Sequence, residues 1–596
     1  MKLSDYVLQF VAEQGVKFVF MLPGGGAMHL NESLGQRPDI DFVCALHEQA
    51  AAIEAEAYAK VSNELAVAMV TTGPGGTNAV TGVASAWLDS VPLLVLSGQV
   101  KRADLKRDTG VRMLGVQEVD IVSIVRPITK YAVTIDEPAT IRYHLERAVS
   151  LAMAGRRGPV WIDIPLDVQA AQVDPDAMAG FNAPVESLSE GLQAEVEALL
   201  GLLANAARPV IVAGNGVRIA GGTDIFRRVL DRLQIPVLTT WLGMDLIGDD
   251  DPLFAGRPGS IAPRGANFTL QNADLLLTIG ARMDMALTGY AHDKLAREAV
   301  KAMVDVDRAE IEKMRTVIQL PIVADAGAFL LELESQVSGA ALPDWSPWTA
   351  RCQDWKRRFP IVRPEYRAQL DGVSTYVLSE AISSELDETA IVVSGSSGAA
   401  IELFLLSFLV KSGQRVLHSR GLGAMGFGLP ASVGACLASG RRPTVCLEGD
   451  GSFQMNAQEL ETIRRLDLPV KVFVVNNGGY ASIRSSQRSY FDHLVAADPT
   501  SGLTLPRATA LAAAYGIPSR LIARQDDLRS QVRAVLDSSG PIVCEVMAPA
   551  AEERAPRLSS MQRADGSLVS RPIEDLWPFL DRDEFRANMI VGPLED

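Results

Sequence analysis

The sequence is poor in cysteine, lacks long apolar runs and carries no excess of positive charge. Its five cysteines among 596 residues form no CxxC pair or other metal-ligand spacing, which indicates reduced core residues rather than a disulfide scaffold or a zinc site. Apolar stretches such as 401–410 are far shorter than the roughly 20 residues that cross a bilayer. With 56 basic against 72 acidic residues and no basic arm, nucleic acid is not an expected partner.

The first residues also lack the apolar core and the small-residue cleavage site of a signal peptide. Residues 1–15 instead carry charge throughout and have the pattern of an amphipathic helix. We therefore expect a cytoplasmic protein that does not enter a membrane. The composition, 48% hydrophobic and 21% charged, is that of an ordinary globular chain.

The length of the chain predicts about three or four domains. Helical periodicity alternates with short apolar strand patterns, which is typical of parallel sheets covered by helices. We expect an α/β protein with three doubly wound parallel-sheet domains and a C-terminal tail without a sheet pattern. The predicted domains and tail are residues 1–175, 190–340, 365–550 and 551–596. The predicted linkers are residues 169–188 and 341–364.

The stretch 448–480 is the most informative part of the sequence. A strand pattern at 445–447 is followed by Gly-Asp-Gly-Ser, a helical pattern and a second strand at 470–475 that ends in Asn-Asn-Gly-Gly. Because a right-handed crossover sets two such strand ends side by side, Asp450 and Asn477 could bind one hard cation through oxygen. The glycines beside them would let a phosphate approach the backbone at the helix start. Alternatively, Asp450 caps the helix, and Asn476 and Asn477 form a turn.

Residues 421–426 offer a different interpretation. Their sequence GLGAMG fits the G-x-G-x-x-G pattern of dinucleotide-binding folds, it follows a strand pattern at 415–418, and Glu448 stands roughly 20 residues further on. Against a nicotinamide site, Ser419 and Arg420 separate the strand from the first glycine. That interpretation also leaves the neighbouring Gly-Asp-Gly turn unexplained.

The Gly-Asp-Gly turn followed by Asn-Asn at 476–477 resembles the cofactor motif of thiamine-diphosphate enzymes. The resemblance implies that Asp450, Asn477 and the carbonyl group of Gly479 hold Mg²⁺, which bridges the diphosphate of the cofactor. The string GLGAMGFGLPASVGA resembles the segment that grips the aminopyrimidine ring, with Met425 as the apolar wedge beneath the bent cofactor. The resemblance implies a pyrimidine-binding first domain, a central nucleotide fold and a diphosphate-binding third domain.

The first domain carries further matches to this family. The sequence around Glu48 resembles the strand end whose glutamate faces the pyrimidine N1′ of a cofactor held by another subunit. Such a carboxyl group favours the imino tautomer, which serves as an internal base, and burial would raise its pKa. The alternative is an acid at the N-terminus of a surface helix, where the helix dipole favours negative charge. Residues 73–78 resemble an active-site loop, Gln117 resembles a substrate-contacting glutamine of acetolactate synthases, and residues 394–398 resemble a second diphosphate loop.

The resemblance implies three groups of site residues. The predicted catalytic residues are Glu48, Gln117 and Gly25. The predicted metal ligands are Asp450, Asn477 and Gly479. The predicted cofactor-binding residues are Met425, Gly423, Gly395, Ser396, Gly449, Gly451, Ser452, Tyr480, Ile483, Gly73, Asn78 and Arg282.

The matched segments most resemble the acetolactate synthase group, but three positions depart from it. Where those enzymes have an arginine at the entrance, a tryptophan in the acceptor pocket and a phenylalanine near the donor, this chain has Ala286, Ser486 and Val116. The pocket should therefore be wider and should lack an ionic partner for a second 2-oxo acid. The segment 570–579 resembles related carboligases of polysaccharide gene clusters, one type of which uses a nucleotide-linked keto-sugar as acceptor.

These matches predict a carboligase that depends on thiamine diphosphate and Mg²⁺ and acts on small molecules. It would decarboxylate pyruvate or a related 2-oxo acid and add the acyl unit to a carbonyl acceptor, with keto-sugars among the candidates. The alternatives are a decarboxylase, a 2-hydroxyacyl-CoA lyase and a non-catalytic nucleotide-binding protein. Many such enzymes also hold a structural FAD, here expected at 256–259 and 280–284, unless this nucleotide fold is vestigial. A homodimer or homotetramer with active sites between subunits is expected.

Overall fold

Short apolar strands separated by amphipathic helices build three six-stranded parallel sheets in the computed structural model of the chain. The predicted α/β class, with three doubly wound parallel-sheet domains, is confirmed. The structure describes residues 1–183, 191–314, 317–562 and 568–594. Parts of the predicted linker and tail, residues 184–190, 563–567 and 595–596, lie outside the described residues.

The first sheet has the strand order β2-β1-β3-β4-β6-β5, with all pairs parallel. Its order reverses between β1 and β3, and open α/β sheets bind ligands beyond the carboxyl ends of strands at such a reversal. The strands are β1 (Phe18–Met21), β2 (Asp41–Cys44), β3 (Ala66–Val70), β4 (Leu93–Gln99), β5 (Tyr131–Thr134) and β6 (Val160–Pro165).

The second sheet has the order β12-β11-β10-β7-β8-β9 and reverses between β10 and β7. Its strands are β7 (Pro209–Ala213), β8 (Val237–Thr239), β9 (Phe254–Gly256), β10 (Leu275–Ile279), β11 (Val300–Asp305) and β12 (Leu320–Val323). The third sheet has the order β14-β13-β15-β16-β18-β17 and reverses between β13 and β15. Its strands are β13 (Ile391–Ser394), β14 (Arg415–Leu417), β15 (Thr444–Gly449), β16 (Val470–Asn476), β17 (Ser519–Ile522) and β18 (Ile542–Met547).

Helices connect the parallel strands and cover both faces of the sheets, as crossover connections require. A π-helix at Ala399–Phe404 precedes the short helix α17. The α-helices of the described residues are α1 (Leu3–Glu13), α2 (Met28–Gly35), α3 (Glu48–Ser62), α4 (Pro74–Leu88), α5 (Ile121–Val125), α6 (Ile141–Met153), α7 (Leu166–Gln169), α8 (Leu192–Asn205), α9 (Gly216–Ile219), α10 (Thr223–Leu233), α11 (Arg264–Gln271), α12 (Arg308–Glu312), α13 (Ala326–Val337), α14 (Ser346–Arg358), α15 (Pro364–Arg367), α16 (Thr375–Glu385), α17 (Leu405–Ser407), α18 (Gly428–Ala438), α19 (Asp450–Phe453), α20 (Glu459–Arg465), α21 (Ala481–Phe491), α22 (Ala508–Ala514), α23 (Leu528–Leu536) and α24 (Arg582–Ala587).

Helix α3 of the first domain packs directly on helix α18 of the third. Helix α3 is rich in alanine and α18 contains alanine and glycine, so their backbones approach closely: a Cβ atom on Gly434 would lie 1.9 Å from the backbone oxygen of Glu54. Buried residues of both helices, including Ala52 and Val433, belong to one hydrophobic cluster that spans the two domains. The first and third domains therefore share a core.

The segment 341–364 is not the linker that the sequence predicted. It contains helix α14, which packs on α11 through the buried side chains of Trp348 and Trp355. The Trp348 indole donates a hydrogen bond to the Pro209 carbonyl at 3.1 Å. The helical period is obscured in the sequence because large aromatic residues lie among basic ones, and only tertiary packing distinguishes the buried face.

The C-terminal tail lies on the central domain. The prediction that it has no sheet is wrong, since β19 (Ser560–Gln562) and β20 (Leu568–Ser570) pair in antiparallel fashion. Arg264 of α11 donates a hydrogen bond to the Leu576 carbonyl at 2.7 Å, and Asn267 donates one to the Ile573 carbonyl at 2.8 Å. These buried bonds fix the tail against α11.

The state of the cysteines and the lengths of the helices bear on the predictions made from composition. All five cysteines are free, and four of them are buried. Within the described ranges, no helix has the length and apolar content needed to cross a membrane.

The close contact of α3 with α18 leads to a prediction about stability. Gly434→Ala places a methyl group against the backbone of α3, so the thermal unfolding midpoint should fall, with a cost of about 1–3 kcal/mol from overpacking. Gly201→Ala is the matched control, because a Cβ atom on Gly201 of α8 would meet no heavy atom within 4 Å. The control should be unchanged or slightly stabilised, by about 0.5–1 kcal/mol. Equal midpoints for the two variants would contradict the packing.

Candidate functional site

The turn that carries Asp450 lies where the order of the third sheet reverses. Strand β15 ends at Gly449, and α19 begins with the next residue. Neighbouring loops come too close for side chains here: a Cβ atom on Gly449 would lie 2.7 Å from Ser397 Oγ, and one on Gly451 would lie 2.2 Å from the Tyr480 ring. The glycines thus allow these loops to pack closely, and both residues line a cavity where a compact polar ligand could approach their backbone.

Asp450 connects this turn to the end of strand β16. Its carboxylate accepts hydrogen bonds from the backbone N–H of Gly451 at 2.8 Å and of Gly479 at 2.9 Å. Burial raises the pKa of this carboxyl group, and the backbone donors offset part of that effect. The N-cap of α19 is Gly449, so Asp450 is not the capping residue of the alternative interpretation.

The strand end at 476–479 is held by Arg484. Its guanidinium donates hydrogen bonds to the carbonyl groups of Asn477 at 2.8 Å and Gly478 at 3.1 Å. Asn476 Oδ1 accepts from Gly478 N at 3.1 Å, which makes this segment an Asx turn. Of the predicted metal ligands, Asp450 and Asn477 line one cavity together with Gly479.

These three residues offer one carboxylate, one amide oxygen and one carbonyl oxygen, which are ligands for a hard cation. In the part of the chain that the structure describes, no group of three or more His, Cys, Asp or Glu side chains could hold a metal ion. A magnesium ion bound here would therefore need further oxygen ligands from a diphosphate or from water.

The loop before α18 carries Met425 into the same cavity. Gly423 and Gly426 on either side of it have φ angles of 68° and 84°, which L side chains adopt rarely. The Gly426 N–H donates to Ser452 Oγ at 3.0 Å, and Asn456 donates to the Gly426 carbonyl at 2.8 Å. The two glycine clusters of the third domain are thus joined by hydrogen bonds.

Glu448 does not serve as the acid of a dinucleotide site. Its Oε1 atom accepts from the Gly428 N–H at 2.8 Å, and a Cβ atom on Gly395 would lie 2.1 Å from its other oxygen. The side chain is fully buried and lies outside the cavity, and burial raises its pKa to about 7. The structure therefore does not support the nicotinamide interpretation.

Ser396 supplies a polar atom that lacks a partner. Its Oγ atom is buried, and it makes no hydrogen bond to any described residue. The residue lines the cavity beside Ser397 and Gly398, at the end of strand β13. An unpaired buried hydroxyl is costly unless a ligand or water satisfies it. The loop therefore fits an oxyanion such as a diphosphate.

The first domain gathers a second group of predicted residues. Glu48 is the first residue of α3 and is buried, and its Oε2 atom accepts a hydrogen bond from Asn78 at 2.9 Å. Gly73 has a φ of 66°, and a Cβ atom there would lie 2.4 Å from the Gln117 carbonyl oxygen. Gly25 lies in the loop after β1, with open space on its Cβ side. This group surrounds the reversal of the first sheet between β1 and β3.

The predicted site residues divide between the lining of one cavity and positions outside that lining. A cavity of about 680 Å³ is lined mainly by the third and central domains, and residues of the first domain such as Asp89 and Arg156 complete its wall. It contains these predicted site residues: Met425, Ser396, Gly449, Gly451, Ser452, Tyr480, Ile483, Arg282, Asp450, Asn477 and Gly479. The predicted residues outside its lining are Glu48, Gln117, Gly25, Gly73, Asn78, Gly395 and Gly423. The first-domain group around Glu48 thus lies outside the cavity around Asp450, and we call these two regions half-sites.

Models of thiamine pyrophosphate enzymes match all three domains: the N-terminal binding domain at residues 1–124, the central domain at 196–333 and the C-terminal binding domain at 396–546. The acetolactate synthase large subunit of Lactococcus lactis is 33% identical over 94% of this chain and 95% of its own. The large subunit of acetolactate synthase isozyme 1 of Escherichia coli is 31% identical over 93% of this chain and 95% of its own. The chloroplastic acetolactate synthase of Arabidopsis thaliana is 32% identical over 94% of this chain and 83% of its own.

The chain belongs to the thiamine pyrophosphate enzyme family. Membership explains why the first and third domains repeat one plan, since both are binding domains of this family. It also makes the central domain a regular part of the architecture rather than an insertion.

The central domain of this family member forms the other half of the cavity. Its contribution comes from the reversal of the second sheet, where a Cβ atom on Gly216 would lie 2.6 Å from Gly280 Cα. Arg282 donates a hydrogen bond to the Leu88 carbonyl at 3.2 Å and thereby reaches the first domain. Asp305 ends strand β11 in the lining, and burial raises its pKa to about 6.

Sequence motifs do not indicate several residues of the cavity. Asp89 from the first domain, Trp241 from the central domain and Glu402 and Arg420 from the third domain all line it. Only the position of Arg420 could be inferred from the sequence, because it directly precedes the glycine-rich segment 421–426. The others come from segments whose sequences match no motif, and tertiary folding alone brings them together.

The burial of Glu448 predicts a pH effect. Because its pKa in the folded protein is about 7, above the ordinary value of 4.5, the folded state binds this proton more tightly than the unfolded state. The resulting stability is present below pH 4.5 and is lost as the pH rises to about 7, a change of roughly 3 kcal/mol at most. The side chain in Glu448→Gln cannot ionise. Between pH 4.5 and about 7, the thermal unfolding midpoint of this variant should therefore fall less than that of the wild type.

The exposed Glu388 provides the control, since Glu388→Gln should follow the wild-type profile. The difference between each variant and the wild type removes the contributions of other titrating groups. Parallel profiles for Glu448→Gln and the wild type would show that Glu448 does not titrate in this range.

Proposed function

We propose that this chain is a thiamine-diphosphate-dependent carboligase of the acetolactate synthase type. It decarboxylates pyruvate or a related 2-oxo acid and transfers the acyl unit to a carbonyl acceptor. The observation that carries the proposal is the pairing of a glycine-lined cavity around Asp450 with a second half-site around Glu48. Family membership and relatives that are acetolactate synthases support it.

The residues around Asp450 fit the diphosphate end of the cofactor. Asp450, Asn477 and the Gly479 carbonyl would hold Mg²⁺, and the unpaired hydroxyl of Ser396 would bind a phosphate oxygen. Met425 would support the cofactor from below as an apolar side chain between Gly423 and Gly426. When bound between these residues, thiamine diphosphate would supply the chemistry that decarboxylates a 2-oxo acid.

Glu48 would exchange a proton with the pyrimidine nitrogen N1′. Its buried carboxyl group has one oxygen bonded to Asn78, so the other remains for the cofactor. A Cβ atom on Gly75 would lie 3.7 Å from that second oxygen, and the glycine keeps this approach open. Exclusion of water around Glu48 would keep the proton on the path between the two groups.

A second copy of the chain would complete each site. Glu48 lies outside the cavity of its own chain, whereas the proposed chemistry requires it beside the cofactor. A homodimer, or a homotetramer built from such dimers, would place one first domain against the third domain of its partner. Two complete sites would then form across each interface. A cytoplasmic location remains our prediction.

FAD is the proposed occupant of the central half of the cavity. The crevice lies at the reversal of the second sheet, where doubly wound folds bind nucleotides, and it includes Gly216, Gly280 and Arg282. Pro258 and Gly259 of the predicted segment 256–259 also line it. The flavin would act structurally, because carboligation transfers no net electrons.

The acceptor is proposed to be larger than pyruvate, with a keto-sugar as one candidate. Ala286 places only a methyl group in the lining, and Ser486 lies exposed on α21, one turn beyond the lining residue Ser482. Val116 is 83% exposed and leaves the region beside Gln117 open. Small side chains at these positions leave room for a bulky acceptor.

The products of pyruvate turnover test this function. Purified protein with thiamine diphosphate, Mg²⁺ and pyruvate should consume pyruvate, and mass spectrometry should detect an acyl adduct of an added ketone or keto-sugar acceptor. Omission of thiamine diphosphate is the control and should abolish turnover. Acetaldehyde as the sole product would identify a decarboxylase instead, and absence of cofactor binding would refute the proposal.

Mixed dimers test the shared site. Glu48→Gln and Asp450→Asn should each reduce activity by at least tenfold, because each removes a different half of every site. Co-expression of the two variants in equal amounts should restore about a quarter of wild-type activity, since half of the dimers then contain one intact site of two. A mixture no more active than the single variants would show that both residues act in the same chain.

A further inference from the structure

Four arginines line the cavity, and three of them have partners. Arg156 pairs with Asp307 at 2.9 Å and Glu310 at 2.6 Å. Arg157 donates to the Asn63 carbonyl at 2.9 Å. Arg282 of the central domain donates a hydrogen bond to the Leu88 carbonyl, and its guanidinium lies 3.7 Å from the carboxylate of Asp284. These three guanidinium groups are occupied by the protein itself.

The fourth, Arg420, has no such partner. Its guanidinium forms no hydrogen bond or ion pair with any of the residues that the structure describes, although it is partly buried in the cavity wall. The group lies over the ring of Trp241, 5.6 Å from the ring centroid. An arginine on an aromatic face keeps its N–H edge free for an anion. Arg420 therefore offers unused donors inside the cavity.

The backbone beneath Arg420 is rigidly held. Asp89 accepts hydrogen bonds from the N–H groups of Arg420 at 3.3 Å and Gly421 at 2.9 Å. Lys60 pairs with Asp89 at 2.8 Å and also donates to the His418 carbonyl at 3.2 Å. Lys60 pairs with Glu56 as well, at 2.6 Å, and Asp89 forms no ion pair with the Arg420 side chain. The buried network fixes the position of Arg420 without using its charge.

The acids of the cavity do not compensate Arg420 either. Glu402 pairs with Arg554, and Asp325 caps helix α13 through the N–H groups of Gly327 and Ala328. Asp450 accepts backbone hydrogen bonds and is the proposed metal ligand. An unpaired guanidinium that lines a cavity keeps its N–H donors available for a ligand that carries negative charge.

We propose that Arg420 is the anion-binding residue of this cavity and takes a carboxylate or phosphate group of its ligand. Its place is at the boundary of the two halves: Met425 and Asp450 lie on the side of the third domain, and Trp241 lies on the side of the central domain. The carboxylate would belong to the 2-oxo acid, an assignment that rests on the proposed function. A phosphate would belong to a nucleotide in the central half. Arg420 would thus provide a positive charge in a cavity that has Ala286 in place of the entrance arginine of acetolactate synthases.

Kinetics and flavin binding distinguish these sources. Arg420→Gln should raise the KM for pyruvate by about 10- to 100-fold with a smaller change in kcat, because a charge-assisted hydrogen bond is lost. Arg420→Lys should recover part of this effect. If the anion is a phosphate instead, the KM should stay constant while the Kd for FAD, measured by flavin fluorescence, rises by a similar factor. The control Arg228→Gln breaks an exposed ion pair of α10 and should change neither the KM for pyruvate nor the Kd for FAD.

Chemical modification of the wild type gives an independent test. Phenylglyoxal should label Arg420, and either the pyruvate analogue oxamate or FAD should suppress the label, as read by peptide mass spectrometry. This assay needs no turnover, so it separates failure of Arg420 as an anion site from failure of the proposed carboligase function. Unchanged KM and Kd in Arg420→Gln, or labelling that neither anion affects, would overturn the proposal.

Discussion

The contact between helices α3 and α18 sets the geometry of both half-sites. Glu48 is the first residue of α3, and α18 begins three residues after Met425. The two helices touch backbone to backbone at Gly434, without a side chain between them that could adapt. The acid of one half-site and the cofactor loop of the other therefore belong to a single rigid unit. In the proposed dimer, any shift of this contact would displace Glu48 and the loop of Met425 together.

Buried acidic side chains near the α3–α18 contact bind loops across the domain boundary: an acid of the third domain binds a loop of the first, and an acid of the first binds a loop of the third. Glu459 of α20 accepts the N–H of Leu46 at 3.0 Å, just before Glu48, while Asp89 of the first domain holds the segment that leads to Met425. These bonds run in both directions across the domain boundary. Because an unpaired buried partner costs more than the bond contributes, neither loop can move alone. The positions of both half-sites are consequently determined by the shared core.

Local sequence predicts the parts of the fold and site that lie within one strand–turn–helix unit. Asp450 and Asn477 are recognisable because glycine, carboxylate and amide residues follow apolar strands directly. Strand patterns at 415–418, 445–447 and 470–475 predict β14, β15 and β16, whereas β5, β9, β12, β13, β17 and β18 escape prediction. Each of these six strands lies at or next to a sheet edge. The helix at 346–358 has the pattern of a linker because its buried face is aromatic. Contacts between domains, such as Asp89 with Gly421, leave no periodic signal in either segment.

The continuity of the cavity explains why the central domain matters for chemistry at the third. One wall comes from the reversal of the third sheet and the opposite wall from the reversal of the second, so a ligand at either end is confined by both domains. Arg420 is bonded through its backbone to the first domain and stacks on Trp241 of the central domain. Its side chain is therefore positioned by all three domains at once. A charge fixed in this way needs little reorganisation to bind an anion, which favours selectivity over adaptability.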